Sequence, residues 1–306
     1  MAYPLITDYT NAVRNAHSRF TTLNLAPLLD DRGAPLLYAG NFAAVYKAVN
    51  RNTGQVIAVK CFMRELPELM ARYKAISATL NRSNASMFQK FSFLENEVFV
   101  HSTTAGNGEY PVMVMPWIEG RSLGEVIKKL CLAKKQKGLA SLTRVWARLC
   151  QELLSLGIAH GDLKHDNVLA APDATLKLID YDSVYVPALK GLPSPVLGGT
   201  NYQHPKRAKK HFNAQIDHFS MLVILLSLRS LTLNPSLYAQ CNNGENIIFT
   251  GADFAAPRRS ALFSTLAALR DPFVADWSKR LLSSLASETI TVPNLEQALR
   301  QAEKVT

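Results

Sequence analysis

The spacing of hydrophobic and polar positions changes character several times along the chain. Ala12, Val13, Ala16 and Phe20 follow a weak helical spacing before Pro27 and Asp30-Asp31-Arg32-Gly33 interrupt it. From Leu36 the pattern becomes strand-like. Residues 44–49 alternate, with Val45 and Val49 on one face and Tyr46 and Ala48 on the other. Asn52-Thr53-Gly54 marks a turn and residues 56–60 alternate again, which predicts a hairpin. Leu66, Leu69, Met70, Tyr73, Ile76 and Leu80 recur at three- and four-residue steps and predict a helix. Strand-like runs return near 92–100 and 111–115, with a turn at Ala105-Gly106-Asn107-Gly108 between them.

Past Gly120 the pattern is mostly helical. Leu142, Val145, Trp146, Leu149, Leu153 and Leu156 form one apolar stripe that Gly157 can cap. A short strand pair is expected around Val168 and at 176–179, followed by a long loop and further helices. The most apolar run, 221–228, is far shorter than the ~18 residues of a spanning helix and predicts a buried core helix. The layout is α+β. Residues 1–34 form an N-terminal extension, 35–117 a small β-rich lobe with one helix, and 118–306 a larger α-helical lobe.

Composition narrows the class. With 306 residues, 48% hydrophobic and 19% charged, the chain can bury a real core and is not disordered, collagen-like or a coiled coil. Cys61, Cys131, Cys150 and Cys241 form no C-x-x-C pair, which argues against zinc or a disulfide framework and for reduced thiols in the cytoplasm. The first residues lack a basic region followed by a long apolar stretch, so no leader is expected. The net charge of +10 favours anionic partners. It has two foci: Lys128, Lys129, Lys134, Lys135 and Lys137, and Lys206, Arg207, Lys209 and Lys210. Neither interleaves aromatics as a single-strand platform does, so no specific nucleic acid is expected.

The candidate chemistry lies in His160-Gly161-Asp162-Leu163-Lys164-His165-Asp166-Asn167 and Ile179-Asp180-Tyr181-Asp182. An Asp, a Lys, an Asn and a second Asp in two neighbouring loops suit phosphoryl transfer. One carboxylate orients the attacking hydroxyl, a cation steadies the moving group, and a carboxylate and an amide oxygen hold Mg²⁺. These segments resemble the catalytic loop (H-R-D-L-K-x-x-N) and metal loop (D-F-G) of the protein kinase superfamily, as a divergent bacterial-type member. Ala58-Val59-Lys60 resembles the phosphate-anchoring strand, and 40–45 the glycine-rich loop. Residues 113–120 resemble the hinge, with Met115 as gatekeeper, 199–205 the end of the activation segment, and 216–220 the start of the central helix.

The resemblance implies a bilobal kinase fold using ATP with Mg²⁺, or Mn²⁺ in its place. By it Asp162 is the catalytic base, Lys164 contacts the γ-phosphate, Lys60 anchors the nucleotide, and Asn167 and Asp180 are metal ligands. Gly40, Asn41, Phe42, Val45, Ala58, Met115, Pro116, Ile118 and Leu169 would surround the nucleotide. Thr200 would sit under Asp162 and Lys164, and Asp217 would brace the catalytic loop.

Four departures bear on activity. Tyr38 and Ala43 replace loop glycines. The helix after Lys60 has Tyr73 where a glutamate is expected, with Glu68 a turn or more earlier. Gly161 replaces the Arg of H-R-D, which argues against control by activation-segment phosphorylation. Gln203-His204-Pro205 replaces A-P-E, so the salt bridge locking that segment is expected to be missing. The basic run after it reads either as a guide for acidic substrates or as a plain solvated face. The leading expectation is a Ser/Thr protein kinase. A pseudokinase scaffold and a small-molecule kinase are the alternatives. The substrate and the oligomeric state are not encoded in these motifs, and Ser183, Ser194 and Thr200 stay open as modification sites.

Overall fold

The computed structural model describes residues 3–40, 42–65, 68–83 and 85–304; Asn41 of the expected glycine-rich loop and Leu66 of the expected helix lie outside them. The chain forms two compact units, Met1–Asn84 with Gln89–Ile118, and Ala85–Phe88 with Glu119–Thr306. The first is built on a sheet and the second on helices, which is the expected α+β arrangement of two lobes.

The sheet unit runs α1 (Ile6–Arg14), α2 (Ala16–Arg19), β1 (Leu25–Pro27), β2 (Leu37–Ala39), β3 (Ala43–Asn50), β4 (Val56–Phe62), α3 (Leu69–Arg82), β5 (Ser92–Val100) and β6 (Gly108–Pro116). The strands are ordered β1-β3-β4-β6-β5, with β2 also on β3. The alternation at 43–62 becomes an antiparallel hairpin in which Val45 faces Lys60 and Ala48 faces Ile57. Because side chains alternate across a strand, each face has its own chemistry. Ala44, Tyr46, Ala48, Ile57, Val59, Cys61 and Val112 pack with Tyr9, Val13 and Ala16 of α1 and α2. Full burial of such side chains contributes roughly 1.5–3 kcal/mol each. Tyr9, Ala12, Val13, Ala16 and Leu25 of the N-terminal extension are therefore part of this unit's core. Glu97, 2% exposed, fixes their end by accepting from Thr22 N (2.9 Å), Thr22 Oγ1 (2.6 Å) and Leu23 N (2.7 Å).

On α3, Leu69, Tyr73, Ile76 and Leu80 are buried as the spacing predicts, but Met70 is 43% exposed and Arg72 takes a buried position instead. Tyr73 stacks on Phe93 at 5.2 Å and meets Phe62 and Phe91 at 5.6 and 5.7 Å.

The helical unit runs β7 (Arg121–Ser122), α4 (Leu123–Leu132), α5 (Gln136–Leu156), β8 (Val168–Ala170), β9 (Leu176–Leu178), α6 (His218–Leu233), α7 (Leu237–Cys241), α8 (Gly251–Ala255), α9 (Ala261–Ala268), α10 (Pro272–Ala286) and α11 (Leu295–Lys304). Ser122 and Glu125 form a capping box that starts α4. Gly157, at φ 63°, closes α5. Helix α6 is buried all round, as its largely apolar sequence predicts: every residue from Phe219 to Thr232 is buried. Trp146 of α5 donates its indole N–H to Met221 O at 3.2 Å, so the one polar atom of a fully buried ring is satisfied. No helix among the described residues is long and apolar enough to cross a membrane.

Candidate active site

In the helical unit, residues 160–167 connect α5 to β8, and 179–183 follow β9. Two buried groups hold the first loop. His160, fully buried, bonds Ile179 O through Nε2 at 2.8 Å and thereby joins the two loops. Asp217, at the head of α6 and fully buried, accepts the backbone N–H of His160 and that of Gly161 (2.9 Å). Burial raises the Asp217 carboxyl above its usual range, while His160, Arg207 and the two N–H groups oppose that shift. The bracing expected of Asp217 is thus a pair of backbone hydrogen bonds.

Gly161 adopts φ 81°, and a Cβ there would lie 2.1 Å from Ser183 O. The close approach of the 181–183 turn leaves this position room for glycine only. An arginine in its place would meet that carbonyl.

Asp162 projects beyond this support. Its Oδ1 accepts the N–H of Gly199 at 2.9 Å and its Oδ2 lies 3.2 Å from Asn167 Nδ2, which also donates to Asp162 O at 2.8 Å. Lys164 Nζ stands 4.0 Å from Oδ2. Asp180, half-buried, has a left-handed backbone at φ 65°. Next to it Tyr181 is fully buried, donates to Leu178 O at 3.0 Å and meets Phe88 edge-on. With its Nδ2 committed to Asp162, Asn167 keeps Oδ1 for a ligand. An amide oxygen and a carboxylate are the hard donors that suit Mg²⁺ or Mn²⁺. Leu169 is half-buried on β8, opposite Ser122 and Lys177.

The 194–207 segment differs from expectation. Thr200 is exposed and packs against Gly251, without a hydrogen bond to Asp162 or Lys164. The group that meets Asp162 is Gly199. Tyr202 bonds His165 Nδ1 at 2.5 Å. Burial lowers the His165 pKa against the opposing pull of Asp166. No acid stands at 203–205, and the ion pair beside them is formed by the next residue. Lys206, directly after Pro205, reaches Glu288 Oε1 at 2.7 Å and Ser287 O at 2.9 Å. The pair is exposed and adds little stability by itself. His204, buried, bonds Ser284 O at 3.0 Å and gives the segment a firmer tie to α10.

The second basic focus also divides. Arg207 is only 8% exposed and turns inward, leaving Lys209 and Lys210 exposed. Ser183 and Ser194 are each 1% exposed, so of the three open modification sites only Thr200 reaches the surface.

In the sheet unit, register places Val45, Ala58, Lys60, Met113 and Met115 on the face opposite the α1-covered core. Lys60 is 5% exposed, with Nζ 5.8 Å from the Phe62 ring centre. Pro116 pairs with Ile57, and Ile118 is half-buried beyond it. Gly40 donates to Ala43 O at 2.9 Å, and the Phe42 ring lies under the Arg64 guanidinium at 5.4 Å. Tyr38 turns its ring out of the loop onto Trp117, 5.3 Å away, and Lys47 covers the other aromatic at 4.6 Å. Glu68 faces Arg72 at 3.6 Å. The helix position expected to hold a glutamate is filled by the buried ring of Tyr73.

Sequence reasoning missed Gly199, Tyr202 with His165, and Arg207. The Gly198-Gly199 doublet was a visible sign of a close backbone approach, whereas Arg207 was hidden inside a lysine-rich run.

Comparison with known proteins shows the family. Over 183 residues the chain is 25% identical to the serine/threonine-protein kinase PknA of Mycobacterium tuberculosis, covering 58% of this chain and 41% of that one. It is 32% identical over 143 residues to the probable serine/threonine protein kinase IRE4 of Arabidopsis thaliana, covering 46% and 13%. Against the serine/threonine-protein kinase STE20 of Eremothecium gossypii it is 26% identical over 118 residues, covering 38% and 12%. The chain thus aligns with less than half the length of each of these relatives. Residues 35–285 match the family described as the protein kinase domain, and the chain belongs to that family.

Proposed function

We propose that this protein is an ATP- and Mg²⁺-dependent phosphotransferase that moves the γ-phosphate to a Ser or Thr hydroxyl of a protein substrate. The observation that carries the reading is the setting of Asp162, whose two carboxylate oxygens are held by Gly199 N–H at 2.9 Å and Asn167 Nδ2 at 3.2 Å. A carboxylate aimed in this way can orient a hydroxyl and take its proton as the oxygen attacks. Lys164, 4.0 Å away, is the cation that would steady charge on the moving phosphoryl group. Lys60 would anchor the nucleotide phosphates, with Gly40, Phe42, Val45, Ala58, Met115, Pro116, Ile118 and Leu169 around the base and sugar. Asn167 and Asp180 would hold Mg²⁺, which when bound neutralises phosphate charge. We take 35–117 and 118–306 as the two lobes of the enzyme. The lysines left exposed beside the segment suit an acidic protein substrate.

The test is transfer of labelled phosphate from ATP to the protein itself, to a generic acidic protein and to a generic basic protein. Asp162→Asn should bind ATP as the wild type does and transfer nothing; transfer at the wild-type rate would remove Asp162 from the role of base. A second reading, a nucleotide-binding scaffold without transfer, is favoured by Tyr73 in the place of the helix glutamate. Wild-type protein that binds Mg²⁺-ATP yet labels no substrate would support that reading.

A further inference from the structure

The missing H-R-D arginine and the inward turn of Arg207 meet at one atom. Gly161 has no side chain to reach the 194–207 segment, and its backbone carbonyl instead accepts Arg207 Nη1 at 2.8 Å. The same nitrogen reaches Gln203 Oε1 at 2.5 Å, and Nη2 lies 3.3 Å from Ser194 Oγ. One planar guanidinium therefore joins the residue before Asp162 to two points of the segment. Gly199, between those two points, supplies the N–H that fixes Asp162 Oδ1. The loop and the segment are tied twice, once through Arg207 and once through Asp162 itself. Buried at 8% exposure, Arg207 faces the carboxylates of Asp217 and Asp162, which offset the cost of desolvating its charge. The Ser194 hydroxyl is already engaged, donating to Val196 O at 2.6 Å, and Ser183 is buried.

We propose that Arg207 is an internal positioning residue that holds the 194–207 segment against the catalytic loop in the unphosphorylated chain. The segment then needs no added phosphate to set Asp162. This inference rests on the phosphotransfer reading above.

The experiment uses the full chain after phosphatase treatment, with loss of all phosphate checked by mass. Wild type, Arg207→Lys and Arg207→Gln are compared by phosphate transfer and by hydrogen exchange at Gly199 and at α6. The treated wild type should keep its activity within about twofold. Arg207→Lys keeps the charge and loses the fork. Its kcat should fall at least about tenfold, as expected for a misaligned base, with the KM for ATP within about twofold. Exchange at Gly199 should quicken in both variants while α6 stays protected. If Arg207→Gln fails to fold, Arg207→Lys carries the test.

Wild-type kcat together with unchanged Gly199 exchange in Arg207→Lys would overturn the proposal. So would loss of activity on phosphatase treatment that returns with rephosphorylation. If no form of the protein transfers phosphate, the phosphotransfer reading falls. The exchange data then still decide whether Arg207 holds the segment.

Discussion

The packing around Gly161 can be tested against an internal control. Gly157 and Gly161 both have positive φ, 63° and 81°, but differ in surroundings. A Cβ on Gly157 meets nothing within 4 Å, whereas one on Gly161 would sit 2.1 Å from Ser183 O and 2.9 Å from Ser183 Cβ. Gly157→Ala should therefore cost only the backbone term, about 1 kcal/mol. Gly161→Ala bears that term as well. Carbon and oxygen without a strong bond normally stay about 3.3 Å apart, so a buried carbonyl must retreat by roughly 1 Å. Overpacking of that kind adds about 1–3 kcal/mol. The expected total is about 2–4 kcal/mol. At roughly 2–4 °C per kcal/mol for a chain of this size, Gly161→Ala should melt about 4–16 °C below wild type and Gly157→Ala about 2–4 °C below. Urea unfolding of both variants gives the comparison directly, read as a shift in midpoint at constant slope. Equal losses in the two variants would refute the claim that Ser183 excludes a side chain at position 161.

Three further outcomes are expected. Tyr73→Glu, which restores the family's usual residue type, should not restore an ion pair. It places a carboxylate at 2% exposure among Phe62, Phe91 and Phe93, and should cost several kcal/mol, seen as loss of the sheet unit's cooperative unfolding. Asp271→Ala removes one partner of the buried Arg229 pair (2.6 Å) and the N-cap of α10 (2.9 Å to Val274 N), and should lower stability by about 3–5 kcal/mol in urea titrations; Asp271→Asn should lose less. Stability should fall as pH drops through about 6.5. Burial lowers His165, His204 and His218, so the unfolded chain binds protons there first, and the contribution of the neutral rings is present above 6.5 and lost below it. Unfolding curves from pH 7.5 to 5.5 measure that slope, and His204→Gln should flatten it.

The sequence carried those parts of the fold that local periodicity determines. The alternation at 44–49 and 56–60 is the β3–β4 hairpin, and the most apolar run, at 221–228, lies in α6. Met70 was misplaced because a three- or four-residue step does not say which edge of the apolar stripe a neighbour covers. At the site, spacing brought out Asp162, Lys164 and Asn167 together because they share one short loop. Contacts that depend on chain return were not legible. Arg207 meets Gly161 across 46 positions and Asp217 meets it across 56, and no local pattern marks which arginine in a basic run turns inward. Thr200 was assigned a contact that the neighbouring Gly199 makes, a one-residue error that a motif cannot detect.

The departures from the family pattern are also not independent of one another. Glycine at 161 lets the Ser183 carbonyl approach the catalytic loop and leaves its own carbonyl for Arg207. Lysine at 206, just past the missing acid, pairs with Glu288 at the surface. Counted singly, these changes look like two losses of function. Taken together they form one alternative packing that still holds both oxygens of Asp162. Tyr73 is different in kind. Its ring is integral to an aromatic cluster in the sheet unit. If Tyr73 weakens transfer, the defect should lie in nucleotide binding by that unit, which carries both Tyr73 and Lys60. It should appear as a raised KM for ATP, with the Asp162→Asn variant still silent.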